Sequence, residues 1–221
     1  MRRRTAIAPF LLLAALAARP AVRSQQVIDR IVARIEDDII LLSEVRELGR
    51  YQQLVDGHSA SDEKLLGQLI DQWVVDREAT AAHFVRPVEA DVREELDQLE
   101  KQLKSAEAYH ARLHELGLSE AAVRRFIERQ LYLSRYLDYK FRPAAQVDSA
   151  AVEKYYREEL LPQLAARGQQ APPLESVQDQ IRELLTQREI SARAAHWLDE
   201  SRSRLKIETQ LTPEKPGVTP K

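Results

Sequence analysis

Apolar residues recur with two different periods along the chain. Residues 27–35 alternate as V-I-D-R-I-V-A-R-I, and Ile39, Ile40, Leu41 and Leu42 form a second aliphatic run. Glu36, Asp37 and Asp38 lie between them and suit a turn, so the segment predicts a β-hairpin. Ser43 is then expected to cap a helix, with Glu44 and Glu47 near its positive end, that stops near Gly57. From there to Thr209 the period is almost wholly helical. Ser61 and Asp62 start a helix carrying Leu66, Leu69, Ile70, Trp73 and Val74 on one face and running to Phe84, before Pro87 interrupts it. Val88, Val92, Leu96, Leu99 and Leu103 follow at steps of three and four, a single apolar stripe.

Ser105 opens a shorter helix closed by Gly117, and Ser119 opens a long one to about Phe141, stopped by Pro143. Asp148 and Ser149 start another, through Tyr155 and Tyr156 to about Ala166. Residues 167–173 (RGQQAPP) break the pattern. The longest helix is expected over 174–204, about 45 Å at 1.5 Å per residue, with Val177, Ile181, Leu184, Leu185 and Leu198 facing a core. Leu205, Ile207 and Thr209 alternate with Lys206, Glu208 and Gln210 as a short strand. A lone hairpin is marginal, so this strand and the first two are expected to pair.

The helix opened by Ser119 carries two stripes. Val123, Phe126, Ile127, Leu133 and Leu137 suit a core. Tyr132, Tyr136 and Tyr139 form a separate aromatic line, with Tyr155 and Tyr156 as an extension on the next helix. Packing against a second helix explains such a line more simply. The functional alternative is a platform for extended peptide, because tyrosine combines apolar area with a polar tip. These five tyrosines are the candidate binding residues.

Charge and composition narrow the compartment and the partner. Arg2, Arg3 and Arg4 precede an uncharged run over residues 6–18, the pattern of a secretory signal peptide. That run is too short for a bilayer-spanning helix of about twenty residues. Cleavage is expected after Ser24, with Ala17 as the second choice. It would remove five arginines and no acid, taking the net charge from −2 to −7. Such a balance argues against a nucleic-acid or anionic-membrane partner. No Cys occurs, which closes thiolate chemistry, disulfides and lipid attachment through cysteine. No membrane span is expected in the mature form, and residues 211–221, rich in Pro and Lys, are expected to be a disordered tail.

Few residues suggest catalysis. His110 and His114 lie four apart near Glu107 and Glu115, half of a zinc site, but a solvated helix face is the commoner reading. His58, His83 and His196 stand alone. Asp37 and Asp38 suit a turn, and Glu94, Glu95, Asp97 and Glu100 suit a solvated helix face. Neither a catalytic residue nor a metal nor any other cofactor is expected.

Four blocks carry a family resemblance: VIDRIVARIEDDIILLSEVREL at the start, KLLGQLIDQWVVDREATAAHFVRPVEADVREELDQL, LSEAAVRRFIERQLYLSRYL, and LESVQDQIRELLTQREISARAAHWLDESRSRLKIE at the end. In order and spacing they resemble the chaperone core of SurA-type periplasmic chaperones. The resemblance implies a mainly α fold, like the SurA and trigger-factor peptide-binding modules, closed by a small sheet of an N-terminal hairpin and a C-terminal strand. In that family one or two parvulin prolyl-isomerase domains precede the final helix. Here residues 167–173 stand in that interval, too few for a domain, so the resemblance implies the chaperone core over residues 25–210 without the isomerase. It further implies a periplasmic, ATP-independent binder of unfolded polypeptides, with outer-membrane protein precursors as clients. The rival reading is an adaptor that reuses the core for one fixed partner. A scattered lining of tyrosines and aliphatics favours the chaperone, and a flat apolar patch the adaptor.

Overall fold

Two strands, a run of helices and a returning strand follow one another as the alternation predicts. The computed structural model describes residues 29–211. The signal peptide expected over residues 1–24 and the tail expected from Thr212 lie outside the described residues. Strand β1 (Ile31–Ile35) pairs antiparallel with β2 (Asp38–Leu41). Strand β3 (Ile207–Thr209) pairs antiparallel on the other side of β1, giving the order β2-β1-β3. Leu211, placed in the tail by its sequence, instead packs on the core beneath the sheet.

The turn between β1 and β2 is held by the far end of the chain. Glu36 has a positive φ of 51°, a left-handed conformation costly for a side chain with a Cβ. Its N–H donates to the Lys206 carbonyl at 3.0 Å, and its carboxylate accepts the Lys206 N–H at 2.8 Å. The C-terminal segment therefore closes the sheet and fixes the turn together.

The helices are α1 (Leu42–Val55), α2 (Asp62–Ala81), α3 (Glu89–Gln102), α4 (Ala106–Leu116) and α5 (Glu120–Phe141). A single 3-10 turn at Arg142–Ala144 accommodates Pro143. Next comes α6 (Ser149–Tyr155), continued through a π turn at Tyr156–Leu160 into α7 (Leu161–Ala166), and finally α8 (Leu174–Ser203). Among the described residues no helix is long and apolar enough to cross a membrane. The structure is mainly helical, with one small antiparallel sheet.

Three of the expected caps hold in atomic detail. The hydroxyls of Ser105 and Ser119 and the carboxylate of Asp148 accept the backbone N–H groups of Ala108, Ala122 and Ala151, at 3.2, 3.1 and 2.7 Å. Ser43 does not cap α1. The helix begins one residue earlier, with Leu41 at the cap position, and the Glu44 carboxylate reaches back to the Leu41 N–H at 2.7 Å. Ser43 turns its hydroxyl and its N–H to Asp29, which thereby satisfies one orphan donor of the first turn from fourteen residues away. Ser43 holds the Asp29 carboxyl below its ordinary value.

The core is built where the sheet meets the helices. Val32, Ile35, Ile40, Val45, Leu65 and Ile70 join β1, β2, α1 and α2. Val92, Leu96, Tyr109, Leu113, Val123 and Ile127 join α3, α4 and α5. Gly49 permits α1 to approach closely: a Cβ there would lie 2.8 Å from the Ser59 hydroxyl and 3.0 Å from a Leu65 methyl. Trp73 donates its indole N–H to Asp38 at 2.9 Å, which ties α2 to the start of β2. Arg202 clasps α8 to α2, donating to the Gly67 carbonyl and pairing with Asp71 at 2.8 Å. Burial pushes the Asp71 carboxyl up against the pull of that guanidinium. Leu184, expected in the core, is 41% exposed, because the neighbouring face of α8 (Ile181, Leu185) turns to α6.

Candidate functional groove

Helix α5 packs against α2, α3 and α8, while α1 packs against α2 and α4. The C-terminal half of α1 therefore lies across α5 without sealing against it, and two open cavities remain. One, of about 410 Å³, lies between α1, α2 and α5 and reaches Leu198 of α8. The other, of about 270 Å³, lies between α1, α3 and α5. They share Tyr51, Val55, Gln130 and Ser134, so they form one groove with a waist where α1 crosses α5.

Tyr51 makes the waist. Its ring stacks on Phe126 with centroids 4.7 Å apart and planes 21° apart. Its hydroxyl donates to the Gln130 side-chain oxygen at 3.3 Å. Burial, and then the negative charges of Asp56 and Glu95, push the phenol up to about 12, so it remains a protonated donor across physiological pH. Val55, beside it, is 41% exposed, a large aliphatic left open at the end of α1.

The polar part of the lining is dominated by glutamine. Gln52, Gln68 and Gln72 line the larger cavity, Gln98 and Gln102 the smaller, and Gln130 both. Gln52 donates to Gln68 at 2.8 Å and accepts from the Ala60 N–H at 3.1 Å. Among the described residues no hydrogen bond occupies the amides of Gln98 or Gln102. Each such amide offers two donors and an acceptor, as a peptide group offers one of each, so the groove can bond to an extended main chain without reading its side chains.

The candidate tyrosines lie elsewhere. Tyr132 and Tyr136 are 1% and 3% exposed, buried with Val75, Ala79 and Leu133 under Trp197, and the Phe84 ring covers them at centroid distances of 5.9 and 5.5 Å. Burial pushes the Tyr136 phenol up from its ordinary value. They form core, not a client platform, because the segment between α2 and α3 folds Phe84 back over their stripe. Tyr139 on the same line is 66% exposed. Tyr155 is buried against Val152 and Ile181, with the Arg188 guanidinium 5.0 Å from its ring centre. Tyr156 is half-buried and donates to the Pro172 carbonyl at 2.7 Å. None of the five lines either cavity.

The residues missed by sequence reasoning are Tyr51 and the glutamines. A signal existed: Gln68 and Gln72, and Gln98 and Gln102, are uncharged pairs one helical turn apart on otherwise charged faces. It acquires meaning only when α1, α2 and α3 are seen arranged around α5. His110 and His114 are exposed on α4, and among the described residues no group of three or more ligating side chains is assembled for a metal ion. No family model matches the chain, and no curated protein matches it.

Proposed function

We propose that the protein is an ATP-independent chaperone that holds unfolded polypeptide in the groove around Tyr51. The observation that carries this reading is the lining itself: an open channel between three helices, with stacked aromatic rings, exposed Val55 and six glutamines. Apolar floor attracts exposed hydrophobic segments, and amides accept whatever main chain accompanies them. That combination suits many sequences bound weakly rather than one bound tightly. The exposed large apolar side chains (Ile39, Val55, Val85, Val88, Tyr139, Leu184) are spread over separate elements, which fits a fixed-partner adaptor less well.

The resemblance to SurA-type chaperones supports a periplasmic setting and outer-membrane protein precursors as clients. Residues 167–173 link α7 to α8 directly, which supports binding without prolyl isomerisation. The test is aggregation of an unfolded outer-membrane protein diluted from denaturant. Suppression by the full chain at near-equimolar ratio is the expected result. Unchanged aggregation, by contrast, would leave the adaptor as the better reading.

A further inference from the structure

We propose that the waist of the groove selects cations, so that the segments held there carry a lysine or arginine beside uncharged apolar residues. The inference deepens the chaperone reading and rests on it. Two carboxylates flank Tyr51 from opposite cavities: Asp56 lines the larger and Glu95 the smaller. Both side chains are exposed, and among the described residues neither takes part in an ion pair.

Helix α1 adds to the same field. It ends at Val55, which lines both cavities, its last turn carries no basic residue, and its C-cap is Asp56. A helix C-terminus already carries partial negative charge, and basic residues are the ones favoured there. An acidic cap with no basic neighbour on the helix breaks that rule, and such a breach points to a functional site. Arg112 of α4 reaches the Gln53 carbonyl at 3.5 Å, but its charge is engaged by Glu115 at 2.7 Å. Arg129 lines the larger cavity and also borders Glu44 and Trp73, toward the sheet and away from the smaller cavity. Arg129 is itself bordered by Glu44 and Asp76, and Arg135 of α5, which feels the Glu95 charge, is bound to Asp91 at 2.6 Å, so the waist keeps two carboxylates, Asp56 and Glu95, that among the described residues take part in no ion pair. The negative charges bear on the Tyr51 phenol, which keeps its proton and presents a neutral ring for the stem of a long basic side chain.

The test uses three fluorescent twelve-residue peptides with one uncharged apolar sequence and Lys, Gln or Glu at the centre, titrated by anisotropy into the full chain. The Lys peptide is expected to bind about tenfold tighter than the Glu peptide, with Gln between, and the spread should shrink at high salt. In the Asp56→Asn, Glu95→Gln double variant, with melting followed to confirm the fold, the Lys and Gln peptides should bind alike. Equal binding of all three to the unaltered protein overturns the cation preference while leaving the peptide groove standing. A preference that survives in the double variant also overturns it, since the selecting charge then lies elsewhere. No binding by any peptide sinks both the preference and the groove.

Discussion

The body around the sheet and the hairpin formed by α6, α7 and the first half of α8 are helical structures of very different construction. In the body, buried side chains come from elements far apart in sequence: Ile35 of β1 meets Leu65 of α2, and Val75 of α2 meets Tyr132 of α5. In the hairpin the buried residues are Val152, Tyr155 and Ile181, with half-buried Val147, Leu160, Leu174 and Val177 around them. That small core draws on two neighbouring stretches of chain. At the junction Arg142 pairs with Asp138 at 2.7 Å and with Glu183 at 2.8 Å. The single helix α8 serves both regions, giving Ile181 and Leu185 to the hairpin and Trp197 and Leu198 to the body. Stability in the body is therefore cooperative. The hairpin can open on its own, because few apolar contacts hold it and those that do are local.

The largest effect tests whether the aromatic line of α5 belongs to the body. Replacing Tyr132 or Tyr136 by Ser should cost about 3–5 kcal/mol each, as for other buried aromatics cut to a small residue. Tyr139→Ser should cost within about 0.5 kcal/mol, as an exposed site does. Chemical denaturation of the three variants separates them. Equal behaviour of Tyr132→Ser and Tyr139→Ser would mean that Phe84 does not cover the line.

Truncation after Ser203 removes β3, Leu211 and the bonds that hold Glu36. It deletes half-buried Ile207 and Leu211 and several backbone hydrogen bonds, together about 3–4 kcal/mol. The loss should appear as a lower melting temperature of the whole body, since β1 is central to the sheet. A melting curve unchanged by the truncation would reduce β3 to an ornament.

Ile181→Ala tests the hairpin. It should cost about 2–3 kcal/mol, toward the lower end of such truncations because the small core can partly collapse. Hydrogen exchange should show the loss on α6 and the first half of α8, while β1 and α2 keep their protection. Uniform loss would join the two regions into one cooperative unit.

The regions also differ in how plainly the sequence announces them. Alternation in residues 31–41 and 207–209 marks three strands, and their pairing follows because an isolated hairpin needs cover. Ser105, Ser119 and Asp148 mark helix starts because the capping bond is local. Ser43 misleads because its partner, Asp29, lies outside the window in which caps are recognised. The tyrosines of α5 show the same limit. Period places Tyr132, Tyr136 and Tyr139 on one face, but cannot say that Phe84 returns against all three rings, or that the packing around it buries the first two while the third stays 66% exposed. The groove was least visible. Its glutamines sit on three helices whose lateral order is set by long-range packing, and a solvated glutamine and a groove glutamine look alike in sequence.

The smallest effect concerns the junction between the regions and follows from its ionisation. Arg142 holds Glu183 down to about 2 from an ordinary 4.5, with Gln187 adding a further hydrogen bond, and holds Asp138 below its usual value as well. A carboxylate depressed in the folded state stabilises that state at every pH above its unfolded value, and the stabilisation fades as pH falls toward the folded one. The Arg142–Glu183 link should thus be intact from neutral pH down to about 4.5 and be lost between there and about 2. Glu183 is exposed, so solvent screens the pair and the effect stays small. In hydrogen exchange, protection of the hairpin in the unaltered protein should decline across that window more than protection of β1 does. Glu183→Gln removes the titrating group, so its hairpin should begin less protected at neutral pH and change less on acidification. If both proteins lose hairpin protection in parallel, the junction is held by apolar packing along α8 rather than by the charges of Arg142, and the two regions differ in packing alone.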